Sequence, residues 1–190
     1  MKRELWYSVV VRDRHGKVVS RERRKSRSFL KAWNQLLYVN MSRVPQLVKD
    51  TGGVDRGISG NQYFFGMDTY QSPGFTDYGT RIGTGNTAVA IDDYALKTPI
   101  EEGTGVGEMN HLLCNIATYV VAPPSCYFIV SRSIVNNSAA EITVREAGLY
   151  AVMASQPQYW CCVTRDVFGT PQAVPIGGTI TVNWTIKVTV

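Results

Sequence analysis

From Thr179 to Val190 apolar and polar side chains alternate at every position. Ile180, Val182, Trp184, Ile186, Val188 and Val190 fall on one side, and Thr179, Thr181, Asn183, Thr185, Lys187 and Thr189 on the other. Successive side chains of a strand point to opposite faces, so this run specifies a strand with one buried and one wet face. At about 3.3 Å per residue it would reach roughly 40 Å, about twice the usual strand length. A strand of that length requires a long sheet beside it and a second layer over Trp184. Gly177-Gly178 supplies the turn that precedes it.

A chain of 190 residues is long enough for a proper core and fits a single domain over 1–190. Charged residues make up 18%, below the roughly 25% of an average globular protein. Thr, Ser, Asn, Gly and Tyr fill the polar positions instead, a composition suited to close protein contact, so a homo-oligomer is expected. Lys2 and Arg3 lead into a short apolar run broken by Arg12 and Asp13, which does not read as a signal peptide. No run approaches 18 apolar residues, so no membrane span is expected, and the chain is expected to be made in a cytoplasm. Cys114, Cys126, Cys161 and Cys162 lack paired C-x-x-C spacing, and His15 and His111 stand alone, so no metal or other cofactor is expected. Vicinal Cys161 and Cys162 should face opposite ways, one into the core and one to the surface or an interface. Reduced thiols fit a cytoplasmic product better than a Cys114–Cys126 disulfide.

Glu4–Arg12 is rich in aromatic and β-branched residues and reads as a strand. Asp13-Arg14-His15-Gly16 is a turn, and Lys17–Arg23 returns as a second strand. Residues 1–27 hold ten Lys and Arg against Glu4, Asp13 and Glu22, a local balance of +7 in a chain of +5. Arg21, Arg23, Arg24, Lys25 and Arg27 are therefore candidate nucleic-acid contacts. The simpler reading is an edge strand guarded by charge against pairing with other chains.

Ser28 is placed to cap an amphipathic helix over about 28–42, with Phe29, Trp33, Leu36, Leu37 and Met41 along its apolar face and Pro45 ending it. Residues 51–80 read as a long polar and aromatic loop. Its Tyr63, Phe64, Phe65, Tyr70, Phe75 and Tyr78 are candidates for contact with a neighbouring subunit or a glycan. Gly83-Thr84-Gly85 and Gly103-Thr104-Gly105 look superficially like phosphate loops. Neither leads into a Gly-Lys-Ser/Thr helix, and both read as tight bends.

After Gly107 the chain is strand and turn: 111–121, 127–135, 142–153 and 159–168, separated by Ala122-Pro123-Pro124-Ser125, Asn136-Asn137-Ser138 and Gln156-Pro157-Gln158. Gly169-Thr170-Pro171 and Pro175–Gly178 punctuate the approach to the last strand. Strands at this spacing specify an all-β, mainly antiparallel, jelly-roll-like sandwich with an N-terminal hairpin and one helix.

The succession Ile82-Gly83-Thr84-Gly85, Asp92–Ile100, Glu141-Ile142-Thr143-Val144-Arg145-Glu146-Ala147-Gly148-Leu149-Tyr150, Val163–Phe168 and Gly178–Val182 resembles one in virion structural proteins of tailed bacterial and archaeal viruses. The resemblance spans residues 81–190. It implies a component of a virus particle and leaves shell, decoration and tail positions open.

Catalysis needs converging groups, and the sequence offers none. Asp92-Asp93 and Glu101-Glu102 are adjacent pairs that read as solvated acids or a weak calcium site. Glu146 and Arg145 lie on opposite faces of one strand, and Glu146, next to Ala147-Gly148, is a candidate for a buried ion pair with Arg165 that the sequence alone does not place. The expectation is a non-enzymatic capsid shell or cement subunit located in the virion. A tail-fibre adhesin that binds host glycans through the 63–78 loop is the alternative. A capsid protein that contacts packaged nucleic acid through Arg21–Arg27 is a second one.

Overall fold

The structure, a computed structural model, describes residues 2–26, 28–42, 44–59, 68–155 and 158–190. Its elements in chain order are β1 (Lys2–Arg12), β2 (Val18–Ser26), α1 (Lys31–Ser42), β3 (Gln46–Lys49), β4 (Asp55–Ile58), β5 (Gly79–Gly83), β6 (Asn110–Ile116), β7 (Val120–Ala122), β8 (Ser125–Val135), β9 (Ile142–Ser155), β10 (Gln158–Val174) and β11 (Thr179–Thr189). Two antiparallel sheets form a sandwich. One runs β2-β1-β11-β8-β6, with β7 also paired to β8, and the other runs β10-β9-β5.

β11 lies in the middle of the larger sheet, paired along its whole length with β1 on one side and β8 on the other. Ile180, Val182 and Trp184 are fully buried, whereas Ile186 and Val188 are half-buried. Leu5, Tyr7, Val9 and Val11 of β1 alternate onto the same face. Tyr7 joins the two layers, its ring centroid 6.1 Å from Trp184 and 5.6 Å from Phe168 of β10. Facing them from the smaller sheet are Val144, Leu149, Ala151, Cys161 and Val163. Each fully buried aliphatic side chain of this layer contributes about 1.5–3 kcal/mol.

Several local expectations are corrected. Ser28 does not cap the helix. Phe29 and Leu30 instead extend along β10, with the Leu30 amide donating to Val163 O at 3.0 Å, and α1 begins at Lys31. Its buried face is Ala32, Leu36 and Val39, with Trp33 beside it. The expected 51–80 loop contains β4, which pairs with β3 in a small hairpin whose Val48 and Ile58 join the core. Arg81-Ile82-Gly83 is the end of strand β5 and not a bend. The 111–121 strand is divided into β6 and β7.

Gly169-Thr170-Pro171 does not end β10 but forms a bulge within it: β10 advances from Val167 to Gln172 while β9 advances only from Glu146 to Val144. Across this irregularity Val144 and Ala147 both lie in the inner core, and Glu146 lies on the opposite, covered face with Arg165. Cys161 and Cys162 do face opposite ways, yet both are buried. Residues 84–100 cross the outer face of the smaller sheet, and Leu96 of this segment joins Tyr150 of β9 and Leu30 in covering Cys162. All four cysteines are free, and burial pushes the Cys161 thiol up to about 12.

Candidate functional site

β2 is one edge of the larger sheet, and its pleat sorts the basic cluster. Arg21, Arg23 and Lys25 are exposed on one side of the strand, whereas Glu22 and Ser26 are buried on the other. Arg23 stands over the Trp6 ring at 5.1 Å, and Lys25 pairs with Glu4 at 3.1 Å. Arg24 is on the same side of the strand as Glu22 and is also exposed. It pairs with Glu22 at 2.8 Å and covers Gly169 so closely that a Cβ there would overlap its guanidinium. Arg27 lies outside the described residues.

Glu22 holds β2 onto the β10 bulge. Its carboxylate accepts from Tyr7 Oη at 2.8 Å, from the Gly169 and Thr170 amides at 2.9 and 3.1 Å, and from Gln172 Nε2 at 3.4 Å. Burial and the neighbouring carboxylate raise the Tyr7 pKa well above its ordinary value.

The opposite edge has the reverse character. No Asp, Glu, Lys or Arg occurs between Glu108 and Arg132, and this stretch folds as the β6–β7 edge and the adjoining part of β8. Leu112, Leu113, Ile116, Tyr119 and Val121 are exposed there, Val121 at 70%. Residues 71–74 cover the first part of this edge, through Gln71 paired with Cys114 and the Gly74 amide on His111 O. Among the described residues, nothing pairs with the outer edge of 115–122. The exposed apolar side chains are absent from the sequence-derived candidates; the uncharged run was the signal for them.

The aromatic candidates divide. Tyr63, Phe64 and Phe65 lie outside the described residues. Tyr70 and Phe75 are exposed, whereas Tyr78 packs against the small core of Leu30, Leu96, Tyr150 and Cys162. Buried Arg132 fixes the strand-ward part of this loop by donating to the carbonyls of Ser72, Phe75, Thr80 and Leu112 at 2.7–3.3 Å. Desolvation lowers its pKa from the ordinary arginine value.

Both Gly-Thr-Gly steps wrap a carboxylate of the chain itself. A Cβ on Gly83 would lie 2.7 Å from Oε1 of Glu146, and one on Gly85 would overlap the same atom. In the second step, the Gly105 amide donates to Glu108 Oε2 at 2.8 Å, and a Cβ on Gly103 would overlap that oxygen. The oxygen atoms that occupy these turns are internal, so neither turn presents its amides to an external phosphate.

Glu146 does pair with Arg165, and the pair has a third member. Arg165 Nε donates to Glu146 Oε2 at 2.7 Å, Nη1 to Asp93 Oδ2 at 2.9 Å and Nη2 to Thr87 O at 2.9 Å. Lys97 adds a fourth charge, 2.6 Å from Asp93 Oδ1. Burial pushes the Asp93 carboxyl up, but hydrogen bonds from Lys97, the Ala90 amide and Arg165 outweigh it and leave the pKa below its usual value. Asp93 is thus neither solvated nor arranged as a calcium ligand. Glu102 likewise accepts from the His111 amide at 2.7 Å and approaches its Nδ1 at 3.1 Å, so His111 does not stand alone. Among the described residues, no group of three His, Cys, Asp or Glu side chains is gathered as a metal site.

Comparisons with protein-family models, curated proteins and solved structures find no match. The surfaces that remain outward and unsatisfied are therefore the basis for a functional reading: a basic edge on β2 and an uncharged apolar edge on β6–β7.

Proposed function

We propose that the protein is a structural subunit of a virus particle, a shell or decoration component that assembles with further copies of itself. The observation that carries this reading is the contrast between the two edges of the larger sheet. Edge strands of monomeric proteins are guarded by charge, by Pro or by covering segments, and β2 follows that rule with Arg21, Arg23 and Lys25. The β6–β7 edge departs from it with Leu112, Leu113, Ile116, Tyr119 and Val121 exposed. An apolar edge of this kind is stable in solution when a second surface covers it. A second copy brings a like surface, so the contact is apolar on both sides and needs no buried charge. The low charge content and the resemblance of residues 81–190 to virion proteins support the same reading.

Sedimentation velocity and negative-stain imaging of the purified chain test it. The expected result is a concentration-dependent oligomer or closed particle, with Ile116→Lys/Val121→Lys shifting the population to monomer while the circular dichroism spectrum is retained. A strictly monomeric wild-type chain at high concentration would overturn the proposal.

A further inference from the structure

The basic hairpin carries ten of the chain's twenty Lys and Arg, and the fold decides which of them face solvent. Its three acids are turned to internal work. Asp13 Oδ1 accepts the His15 and Lys17 amides of its own turn, at 2.9 and 3.0 Å. Glu22 is buried beneath β2 on Tyr7 and the β10 bulge. Glu4 is held between Lys25 and the Trp6 indole. Arg12, Arg14, Lys17, Arg21 and Arg23 are all exposed. Among the described residues none of these five has a carboxylate partner.

We infer that this hairpin surface binds the phosphate backbone of a nucleic acid, independently of sequence. Arg21, Arg23 and Lys25 follow one another at the two-residue period of β2, about 6.8 Å apart, and so form a row roughly 14 Å long in which, among the described residues, Arg21 and Arg23 are the cations without a carboxylate and Lys25 is shared with Glu4. Arg12, Arg14 and Lys17 extend the row around the turn. The Arg23 guanidinium stands 5.1 Å over the Trp6 ring, a cation–π contact that favours its place on the sheet. A rigid row of cations suits a linear polyanion, whereas an acidic protein patch would have to match a fixed two-dimensional pattern. Arg24 stands on the other side of β2, paired with Glu22 and lying over Gly169, and so is not part of this row although its side chain is exposed.

The identity of the nucleic acid as packaged genome rests on the particle reading, but the binding itself does not. The test is fluorescence anisotropy with a 20-nucleotide single strand and the corresponding duplex over a range of NaCl concentrations. The full-length chain is used, with sedimentation of the same samples recording assembly. Release of counterions from four or five phosphates predicts a log–log salt slope of about −3 for the single strand and about −4 for the duplex. Lys17→Glu/Arg21→Glu should weaken binding at least about tenfold, and Lys31→Glu, a single reversal on α1, should change it less than about twofold. Assembly of both variants should match the wild type. The inference is overturned if folded protein fails to bind either oligonucleotide at low salt. It is also overturned if the hairpin reversals leave affinity and slope unchanged, or if polyglutamate competes as well as the oligonucleotides bind. An oligonucleotide-binding monomer would overturn the particle reading and leave this one standing.

Discussion

Arg165 donates from Nε to Oε2 of Glu146 at 2.7 Å, with both side chains completely shielded from solvent. The bond joins β10 to β9 on the face covered by residues 84–100, and the same guanidinium reaches Asp93 and Thr87 of that covering segment. Removal of one member of a buried pair strands the other charge at a cost of about 3–5 kcal/mol. Arg165→Met is therefore expected to lower the urea unfolding free energy by about that amount. Glu146→Gln/Arg165→Met should be less damaging than the sum of its parts. Additive losses in a double-mutant cycle would show that the two side chains act independently.

Gly85 is expected to tolerate no side chain. Its Cβ would occupy the space of Glu146 Oε1, which is itself fixed by the Thr98 amide at 3.0 Å. Gly85→Ala should cost about 1–3 kcal/mol, the range for forcing atoms into a packed site. Gly57→Ala, in β4 with nothing near the added atom, should stay within about 0.5 kcal/mol. Thermal or urea denaturation of the two variants compares them directly.

Stability should fall on acidification before the carboxylates titrate. Burial, reinforced by nearby Arg132, holds the His111 pKa down to about 4, from an ordinary 6.5. Between those values the unfolded chain takes up a proton that the folded chain does not. Stability accordingly rises with pH across this window and is lost as pH falls through it, by about 1.4 kcal/mol per pH unit at most. The total is on the order of 3 kcal/mol. Asp93 and Glu102 have lowered pKa values, so their contribution is lost only as pH falls below their ordinary values of 3.8 and 4.5. Urea titrations from pH 7 to 4 should show the slope in wild type and a reduced one in His111→Gln; equal slopes would assign the acid sensitivity elsewhere.

Deletion of Lys187–Val190 is expected to abolish soluble folding. Lys187, Val188 and Thr189 pair with β1 and β8 simultaneously, and Thr189 Oγ1 meets Ser125 Oγ at 2.9 Å. Their loss opens two facing edges in the middle of the sheet, each a template for association with another chain. A soluble truncation with an unchanged unfolding midpoint would show that the end of β11 is dispensable.

Local pattern in the chain is enough to specify the periodic part of the fold. The strict alternation of Thr179–Thr189 and the regular strand spacing after Gly107 specify an antiparallel sandwich, because a period of two leaves one face that must be covered. The sequence offered Glu146 and Arg165 as a candidate buried pair without placing either of them. Where the period fails, contacts between distant segments set the outcome. Val144 and Ala147 share the inner face across the irregularity opposite Gly169–Pro171, and the segment over the outer face buries Cys162 and brings in Asp93 from more than fifty residues away. The same holds for the basic cluster: composition gives its charge, but the position of β2 over the β10 bulge pairs Arg24 with buried Glu22 and, among the described residues, leaves Arg21 and Arg23 without a carboxylate partner. Placement of this kind depends on which strands become neighbours, and contacts between distant segments leave no local pattern in the chain.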